Sequence, residues 1–429
     1  MAKNVNERSI DTATRTMLLE ADRAGIETAW DRFEKQQPQC GFGQLGVCCR
    51  NCNMGPCRID PFGEGPERGV CGATADIIVA RNLLRMIAAG AAAHSDHARD
   101  AVMTFKEMAE GKAKSYQIKD GAKLKALADE YHIPTAGRSP GEVALELANV
   151  LLSEFGKQTG PIQFTLRAPA KRLLVWEKAG IGPRGIDREI VECMHRTHIG
   201  VDNDPVHLLL HGLRTSISDG WGGSMIATDV QDVLFGTPKP IVSESNLGVL
   251  KADEVNIIVH GHEPILSEMI VAAAEDPEMI NLAIEMGAKG ISVAGMCCTG
   301  NEVLMRHGIP TAGNFLQQEL AVITGAVEAM VVDVQCIMPA LGNLAGCFHT
   351  KFISTSPKAD FPGALRMEYH EEKALETARE IVRVAVENYP NRDPSRVNIP
   401  KEKSACMVGF SSEAILGALG GTPQPLIDA

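Results

Sequence analysis

The residues best suited to chemistry are cysteines gathered in one short stretch. Six of the twelve cysteines fall within residues 40–71. The spacing C-x2-C-x4-C-x13-C joins Cys49, Cys52, Cys57 and Cys71, in a loop rich in glycine and proline. Four thiolates at this irregular spacing favour a [4Fe–4S] cluster. A structural zinc site also uses C-x2-C pairs, and reduced thiols are the third alternative.

Two further cysteines of the same stretch, Cys40 and Cys48, cannot complete a metal site alone. A twofold dimer would supply two more, because a symmetric interface places the same patch on both subunits. The pair therefore indicates either a cluster that bridges two subunits or two reduced, buried cysteines. The residues alone leave both alternatives open.

A second set of metal-ligating side chains follows three separate predicted strands. These residues are His262 after "NIIVH", Cys297 and Cys298 after "GISVAG", and Cys336 after "MVVDVQ". The carboxyl ends of parallel strands lie at one edge of a sheet, so we expect the four side chains to converge. One imidazole with thiolates suits iron, nickel or zinc better than magnesium or calcium. Taken singly, each residue is more simply explained as part of the core.

Other candidate residues carry weaker signals. His94 and His97 lie three residues apart in a predicted helix and would share a face. Histidine titrates near neutrality, so such a row can transfer protons, although an exposed polar face explains the pair as simply. Cys193 is expected in the core, and the roles of Cys347 and Cys406 stay open.

The elements that position these residues change in type along the chain. Helical patterns dominate first, and short β-branched runs then alternate with helices, which predicts a parallel sheet. We predict a multidomain chain with an N-terminal α-helical domain (1–236) that carries the cysteine stretch. A Rossmann-like α/β domain (237–395) follows, and residues 396–429 begin a second α/β domain. One strand and one helix cannot cover both faces of a parallel sheet, so we expect that last domain to be incomplete.

Composition excludes several classes of protein. The formal net charge is −12, from 54 acidic and 42 basic residues, which argues against a nucleic-acid-binding surface. The polar N-terminus lacks the apolar core of a signal peptide, and no uninterrupted apolar run is long enough for a membrane span. Clustered cysteines in a reducing compartment indicate metal ligands rather than disulfides. We therefore expect a cytoplasmic protein.

Several of these segments together resemble the anaerobic nickel-containing carbon monoxide dehydrogenases. They are "CxxCxxGPCRI", "GAAAHSDHA", "VHGHEP", "GMCCTGNEVLMRHGIP" and "DVQCIMP", and the similarity runs through nearly the whole chain. The resemblance implies conversion of CO and H2O to CO2, two protons and two electrons at a nickel–iron–sulfur cluster. It also implies a homodimer, a ferredoxin-like electron acceptor and, as a further partner, acetyl-CoA synthase. The expected location is the cytoplasm, with peripheral attachment at the inner face of the cell membrane as an alternative.

The resemblance also implies roles for single residues. Cys40 and Cys48 match ligands of a [4Fe–4S] cluster that bridges the dimer. The second [4Fe–4S] cluster, which relays electrons, is matched by Cys49, Cys52, Cys57 and Cys71. The active nickel–iron–sulfur cluster is matched by His262, Cys298 and Cys336, with Cys297 beside it. His94 matches the acid/base histidine near the substrate, and His97 continues its row as a second catalytic candidate.

Two departures from the family pattern qualify this interpretation. The chain ends before the positions at which family members supply further cysteine ligands and a catalytic lysine. Asp100 and Met103 occupy places at which many members extend the histidine row. A non-catalytic dimeric iron–sulfur protein, for electron transfer or as a scaffold, is therefore one alternative. An enzyme of the hybrid-cluster (hydroxylamine reductase) class is another, although "GHEP" and "CCTGNE" match the carbon monoxide family better.

Overall fold

A computed structural model describes residues 4–422 and 424. Its α-helices, in chain order, are α1 (Val5–Arg8), α2 (Thr12–Arg23), α3 (Ala29–Lys35), α4 (Gly41–Gln44), α5 (Ala75–Ala109), α6 (Gly121–Glu130), α7 (Pro140–Phe155), α8 (Ala170–Lys178), α9 (Ile186–Arg196), α10 (Pro205–Ser218), α11 (Met225–Phe235), α12 (Ile265–Ala274), α13 (Pro277–Glu285), α14 (Cys297–His307), α15 (Gln318–Ile323), α16 (Ala340–Ala345), α17 (Ala374–Asn388) and α18 (Ser412–Ala418). A π-helical turn, Asp219–Ser224, joins α10 to α11.

The strands form one small and one large sheet. In chain order they are β1 (Cys48–Cys49), β2 (Cys57–Arg58), β3 (Ile241–Ser245), β4 (Val255–Gly261), β5 (Ile291–Met296), β6 (Thr311–Gly313), β7 (Val327–Val332), β8 (Lys351–Ser354), β9 (Leu365–Arg366) and β10 (Ser404–Val408). β1 and β2 pair with each other, and the eight-stranded sheet has the order β10-β3-β6-β5-β4-β7-β8-β9. Every pairing in it is parallel except that of β10 with β3.

The chain divides into two compact units. The sheet unit comprises Met1–Lys35, Gly111–Asp120 and Phe235–Ala429, and the helical unit comprises Gln36–Glu110 and Gly121–Leu234. The prediction of a helical region followed by a sheet that is mostly parallel is confirmed. The first 35 residues belong to the sheet unit, in which α2 packs on α15.

The central strands of the large sheet are apolar because helices cover both of its faces. All seven residues of β4 are buried, and its side chains alternate between two cores. Ile258 packs in the core that also contains residues of α2, α15 and α16. Ile257 and Val259 pack in the opposite core, with residues of α12, α13 and α17. Such a fully buried strand gives a continuous apolar run rather than an alternating one.

The C-terminal strand completes one edge of the same sheet. β10 runs antiparallel to β3, with Cys406 opposite Ser243. We expected residues 396–429 to begin a second α/β domain, whereas their described strand pairs within the existing sheet. The predicted domain boundaries themselves stay a prediction.

In the helical unit, α5 is the longest element and packs against α7, α9 and α10. By length and composition it is also apolar enough to cross a membrane, which we expected of no segment. The helix contains charged residues but is rich in alanine. Of its most apolar 18-residue segment, 33% is buried. A single helix of this kind is weak support for a membrane span, because buried core helices meet the same criterion.

Candidate metal sites at the sheet edge and in the cysteine loop

The register of the sheet brings three predicted ligand segments to one edge. His260 in β4 lies opposite Met296 in β5 and Val332 in β7. A further parallel bridge joins Gly261 to Cys297. The segments that follow these strands carry His262, Cys298 and Cys336, so the strand ends converge as the sequence predicts.

This edge is also where the chain reverses its direction across the sheet. The connection from β4 to β5 runs through α12, which packs in the core on one face of the sheet. The connection from β7 to β8 runs through α16, which packs in the core on the opposite face. Adjacent parallel strands whose connections leave on opposite faces open a crevice at their carboxyl ends, where α/β proteins bind ligands. The topology therefore places the candidate ligands at a position suited to binding.

Backbone strain is concentrated at the same edge. Five described residues other than glycine have positive φ, and three of them lie here: Cys297 (57°), Gln335 (63°) and Cys336 (61°). Such a conformation costs of order 1 kcal/mol or more per residue and persists where the surrounding structure enforces it. Strain of this kind favours a functional edge over a merely structural one.

The thiols at the edge are close enough to affect one another. Burial is the main cause that raises the pKa of Cys297 to about 12, and the neighbouring thiols of Cys336 and Cys298 contribute to the same shift. Burial also raises the pKa values of Cys298 and Cys336. Without a positive charge nearby these groups stay protonated, whereas a bound metal would displace their protons. This donor set, together with the buried His262, fits an iron–sulfur or nickel–iron–sulfur cluster.

Sequence reasoning missed two buried residues that hold these segments. The side-chain amide of Gln318 is fully buried; it donates to the carbonyl oxygens of Phe315 and Cys336 and accepts from the backbone N–H of Met338. Asp333 accepts from the backbone N–H of His262. Burial raises the pKa of Asp333 to about 6, although its hydrogen bonds favour the ionised form. No local sequence signal marks Gln318, whereas Asp333 could have been noticed as an acidic residue at a strand end.

In the helical unit, one small cavity is lined by the four cysteines of the C-x2-C-x4-C-x13-C pattern. Pairing of β1 with β2 sets Cys49 opposite Cys57. The backbone N–H of Val70 lies 3.5 Å from Cys57 Sγ, to which it donates. Gly69 also lies beside that sulfur, since a Cβ added to it would be 3.5 Å from Cys57 Sγ. The structure therefore brings together, around one cavity, the four cysteines whose spacing predicts a shared site.

Polar groups around this cavity suit a negatively charged cluster. A hydrogen bond from the backbone of Ala73 lowers the pKa of Cys71, and the Arg81 guanidinium lowers it further. Arg81 is almost fully buried and donates to Asn203 Oδ1 at 2.7 Å. The buried Nδ2 of Asn51, which also lines the cavity, has no acceptor among the described residues. An N–H donor without an acceptor fits a site whose sulfide ions would accept it.

Cys40 and Cys48 do not line that cavity. Cys40 is exposed and Cys48 is half-buried. Asn82 of α5 holds their loop, since its side-chain N–H groups donate to the carbonyl oxygens of Gly46 and Cys48. The exposure of Cys40 argues against the alternative of two buried structural cysteines.

The histidine pair lies on α5 beside the π-helical turn. His94 Nδ1 donates to Asp219 Oδ1 at 2.7 Å. A Cβ on Gly223 would lie 3.3 Å from the His94 Cβ, so glycine allows this close approach. His97 is buried, and its Nε2 accepts from the Gln231 side chain at 2.9 Å. The pair is therefore not a solvated polar face, and Asp219 is a partner that sequence reasoning missed.

The contact with Asp219 raises the pKa of His94 above its usual value. Because the raised pKa belongs to the folded state, the contact stabilises the protein fully below about pH 6.5, and the effect is lost as pH rises through the raised pKa. Asp219→Asn should therefore lower the pKa of His94. The measurement is an NMR titration of the imidazole Cε1 proton in histidine-labelled protein, assigned with His94→Gln.

The matched control for that titration is Asp187→Asn. Asp187 accepts from Ser95 and Arg99 on the same helix, and none of its described hydrogen bonds involves His94. The control should leave the titration of His94 unchanged. An unchanged pKa in the Asp219 variant itself would contradict the assigned pairing.

The remaining cysteines lie outside both sites. Cys193 is buried in the core of the helical unit beside Thr215, as expected. Cys347 is exposed, and Cys406 is half-buried in β10. A group formed by Glu189, Glu192 and His211 has metal-ligand spacing. Arg184 and Arg214 already neutralise its carboxylates, so it is a structural ion-pair cluster rather than a third metal site.

Comparison with known proteins shows that the chain belongs to one protein family. The model of the Prismane/CO dehydrogenase family matches residues 47–429. Carbon monoxide dehydrogenase 1 of Methanosarcina mazei is 75% identical over 429 residues, which are 100% of this chain and 68% of that protein. An as-isolated, nickel-free crystal structure of carbon monoxide dehydrogenase from Thermococcus sp. AM4, produced without the CooC maturase, is also similar. It has a TM-score of 0.97 and 61% identity, over 100% of this chain and 68% of the other.

A solved acetyl-CoA synthase/carbon monoxide dehydrogenase is similar as well. It has a TM-score of 0.94 and 43% identity, over 100% of this chain and 64% of the other. NiZn[Fe4S4] and NiNi[Fe4S4] clusters are described in the alpha subunits of that assembly. The similarity to these enzymes covers both the sheet unit and the helical unit.

Proposed function

Because the chain belongs to the Prismane/CO dehydrogenase family, we propose that it is an anaerobic, nickel-dependent carbon monoxide dehydrogenase. The reaction converts CO and H2O to CO2, two protons and two electrons. The observation that carries this proposal is the convergence of His262, Cys298 and Cys336 at one sheet edge. The similar proteins are carbon monoxide dehydrogenases, which favours this function over a simple iron–sulfur carrier and over the hybrid-cluster alternative.

At the sheet edge, His262, Cys298 and Cys336 would hold a nickel–iron–sulfur cluster, which supplies the two-electron chemistry at CO when bound. Gln318 holds the backbone beside Cys336 in place. In the helical unit, we assign His94 as a residue that accepts or returns a proton, with Asp219 fixing its ring, and His97 as the next residue of that row. Both are catalytic candidates because histidine changes charge near neutral pH.

Electrons would leave through [4Fe–4S] clusters in the helical unit. We assign Cys49, Cys52, Cys57 and Cys71 to one cluster within each chain, and Cys40 with Cys48 to a cluster shared by two chains. An exposed apolar stripe on α5, formed by Val79, Leu83 and Met86, supports a homodimer. The stripe borders the cysteine loop, because Gly46 lies close to Val79.

The remaining partners and the location follow the same proposal. A ferredoxin-like protein would accept the electrons, and acetyl-CoA synthase is a further partner, as in one similar assembly. The cytoplasm is the proposed location, with peripheral attachment at the inner face of the membrane as the alternative. The sheet topology, with ligands at the switch point, supports the finer assignment of a Rossmann-like α/β domain.

The proposal is tested by metal analysis and a CO-dependent dye-reduction assay on anaerobically purified protein. The relay clusters alone need roughly twelve irons per dimer, from two cubes and one shared cube. Iron above that level, nickel and CO oxidation are the expected result. About twelve irons without nickel or activity would instead support the electron-transfer alternative.

The buried charge of Arg81 should tune the cluster in the adjoining cysteine cavity. Arg81→Met should lower its reduction potential, because a cation favours the added electron. A unit charge roughly 8 Å away at an effective dielectric constant of about 20 contributes about 2 kcal/mol, or ~90 mV. An EPR-monitored redox titration measures this shift. Arg81→Lys keeps the charge and should retain most of the potential; equal midpoints in wild type and Arg81→Met would refute the effect.

A further inference from the structure

We propose that Asp333 is the positioning residue of the candidate active site, because its carboxylate joins the three segments that carry the metal ligands. The expected effect of Asp333 on metal binding rests on the function proposed above. Its structural part rests on contacts within the sheet unit alone. None of the sequence motifs assigns a role to this residue.

The Oδ1 atom of Asp333 accepts three backbone hydrogen bonds. The N–H groups of His262 and Val334 donate to it at 2.6 Å each, and that of Glu263 donates at 3.1 Å. His262 and Glu263 follow β4, and Val334 follows β7. One oxygen atom therefore fixes the segment with the histidine ligand against the segment that leads to Cys336.

The Oδ2 atom of Asp333 reaches the third segment. The hydroxyl of Thr299 donates to it at 2.7 Å. Thr299 follows Cys298 directly in the first turn of α14 and is fully buried. The same carboxylate thus also fixes the turn that presents the second candidate ligand.

The surroundings leave little freedom for this arrangement. Asp333 is buried, and a Cβ on Gly261 would lie 1.9 Å from its Oδ1 atom. Gly261 also has a φ of 140°, which side chains rarely allow. A buried backbone N–H without an acceptor is costly, so loss of the carboxylate should release the segment rather than leave it unpaired in place.

The chemistry distinguishes a positioning role from one that requires charge. In Asp333→Asn, the amide oxygen can accept the three N–H groups while the NH2 group donates to the Thr299 hydroxyl, which can also accept. That variant keeps the geometry without the charge. Asp333→Ala loses both, so the pair separates the two roles.

The test combines amide hydrogen exchange with metal analysis of anaerobically purified protein. In Asp333→Ala, the peptides that contain His262, Glu263 and Val334 should exchange about tenfold faster or more. Nickel should be lost, while the iron of the relay clusters, roughly twelve per dimer, and their EPR signals should remain. Asp333→Asn should restore most of the protection and the nickel. Asp360→Ala, at an exposed side chain of the same unit, is the control and should match wild type.

Two results would overturn the inference. One is wild-type exchange and nickel content in Asp333→Ala, and the other is equal damage in Asp333→Asn and Asp333→Ala. Failure of the proposed function would look different, because wild-type protein itself would then contain no nickel and oxidise no CO. The exchange measurement needs no metal, so it would still decide whether Asp333 holds the three segments.

Discussion

Replacing Cys57 with alanine should remove the [4Fe–4S] cluster from each cysteine loop, with a loss of about eight irons per dimer. Cys57 lies opposite Cys49 in the small sheet, and its sulfur accepts the Val70 N–H. A cube held by three thiolates leaves one iron open to water. Electrons from the active cluster would lose their path, so CO-dependent dye reduction should fall to about 1% of wild type or less. Iron analysis and EPR of the reduced protein measure the loss directly.

The matched control for this variant is Cys347→Ala. Cys347 is exposed and its thiol contacts only a backbone carbonyl, that of Asn343, among the described hydrogen bonds. Its replacement should change neither iron content nor activity. A Cys57→Ala protein that keeps the iron content of wild type would exclude Cys57 as a ligand.

Replacing Cys336 with alanine should abolish nickel binding and lower CO oxidation by about 1,000-fold or more, as expected for loss of a ligand to the reacting metal. Cys336 has a positive φ, and Gln318 donates to its backbone carbonyl oxygen, a contact that does not involve the thiol. We therefore expect the variant to keep its backbone conformation and lose only the thiolate. Nickel analysis and the dye-reduction assay provide the measurement. Relay-cluster iron and its EPR signals should remain, because their ligands belong to the helical unit.

Cys406→Ala is the control for that second variant. Cys406 lies in β10 of the same sheet unit but at the far edge, paired with β3. We expect wild-type nickel content after its replacement. Nickel retained at the wild-type level in Cys336→Ala would show that the strand-end cysteine is not a ligand, whatever the Cys57 result.

The two cysteine variants should therefore fail in opposite ways. Cys57→Ala should lose iron and keep nickel, whereas Cys336→Ala should lose nickel and keep most of the iron of the relay clusters. The difference follows from the location of the two ligand sets in separate compact units. A variant of either kind that lost both metals would indicate general misfolding rather than removal of one ligand.

By itself, the sequence determined the candidate ligand types and the elements that carry them. The spacing of the four loop cysteines is local, and the alternation of strands and helices is read within short windows. The convergence of His262, Cys298 and Cys336 also followed from the sequence, because parallel strands end at the same edge whatever their order. For the C-terminal segment, the sequence indicated a strand but not its partner. The pairing of β10 with β3 depends on tertiary packing, which a local pattern does not encode.

Only the tertiary structure decided which residues hold the ligands in place. Asp333 contacts His262 across 71 positions of the chain and Thr299 across 34, and His94 meets Asp219 across 125. The placement of β7 beside β4 creates the first of these contacts. Local spacing encodes periodicity and ligand chemistry, whereas these partners meet only when all the elements pack together. For that physical reason, the residues that position the site could not be identified before the fold was known.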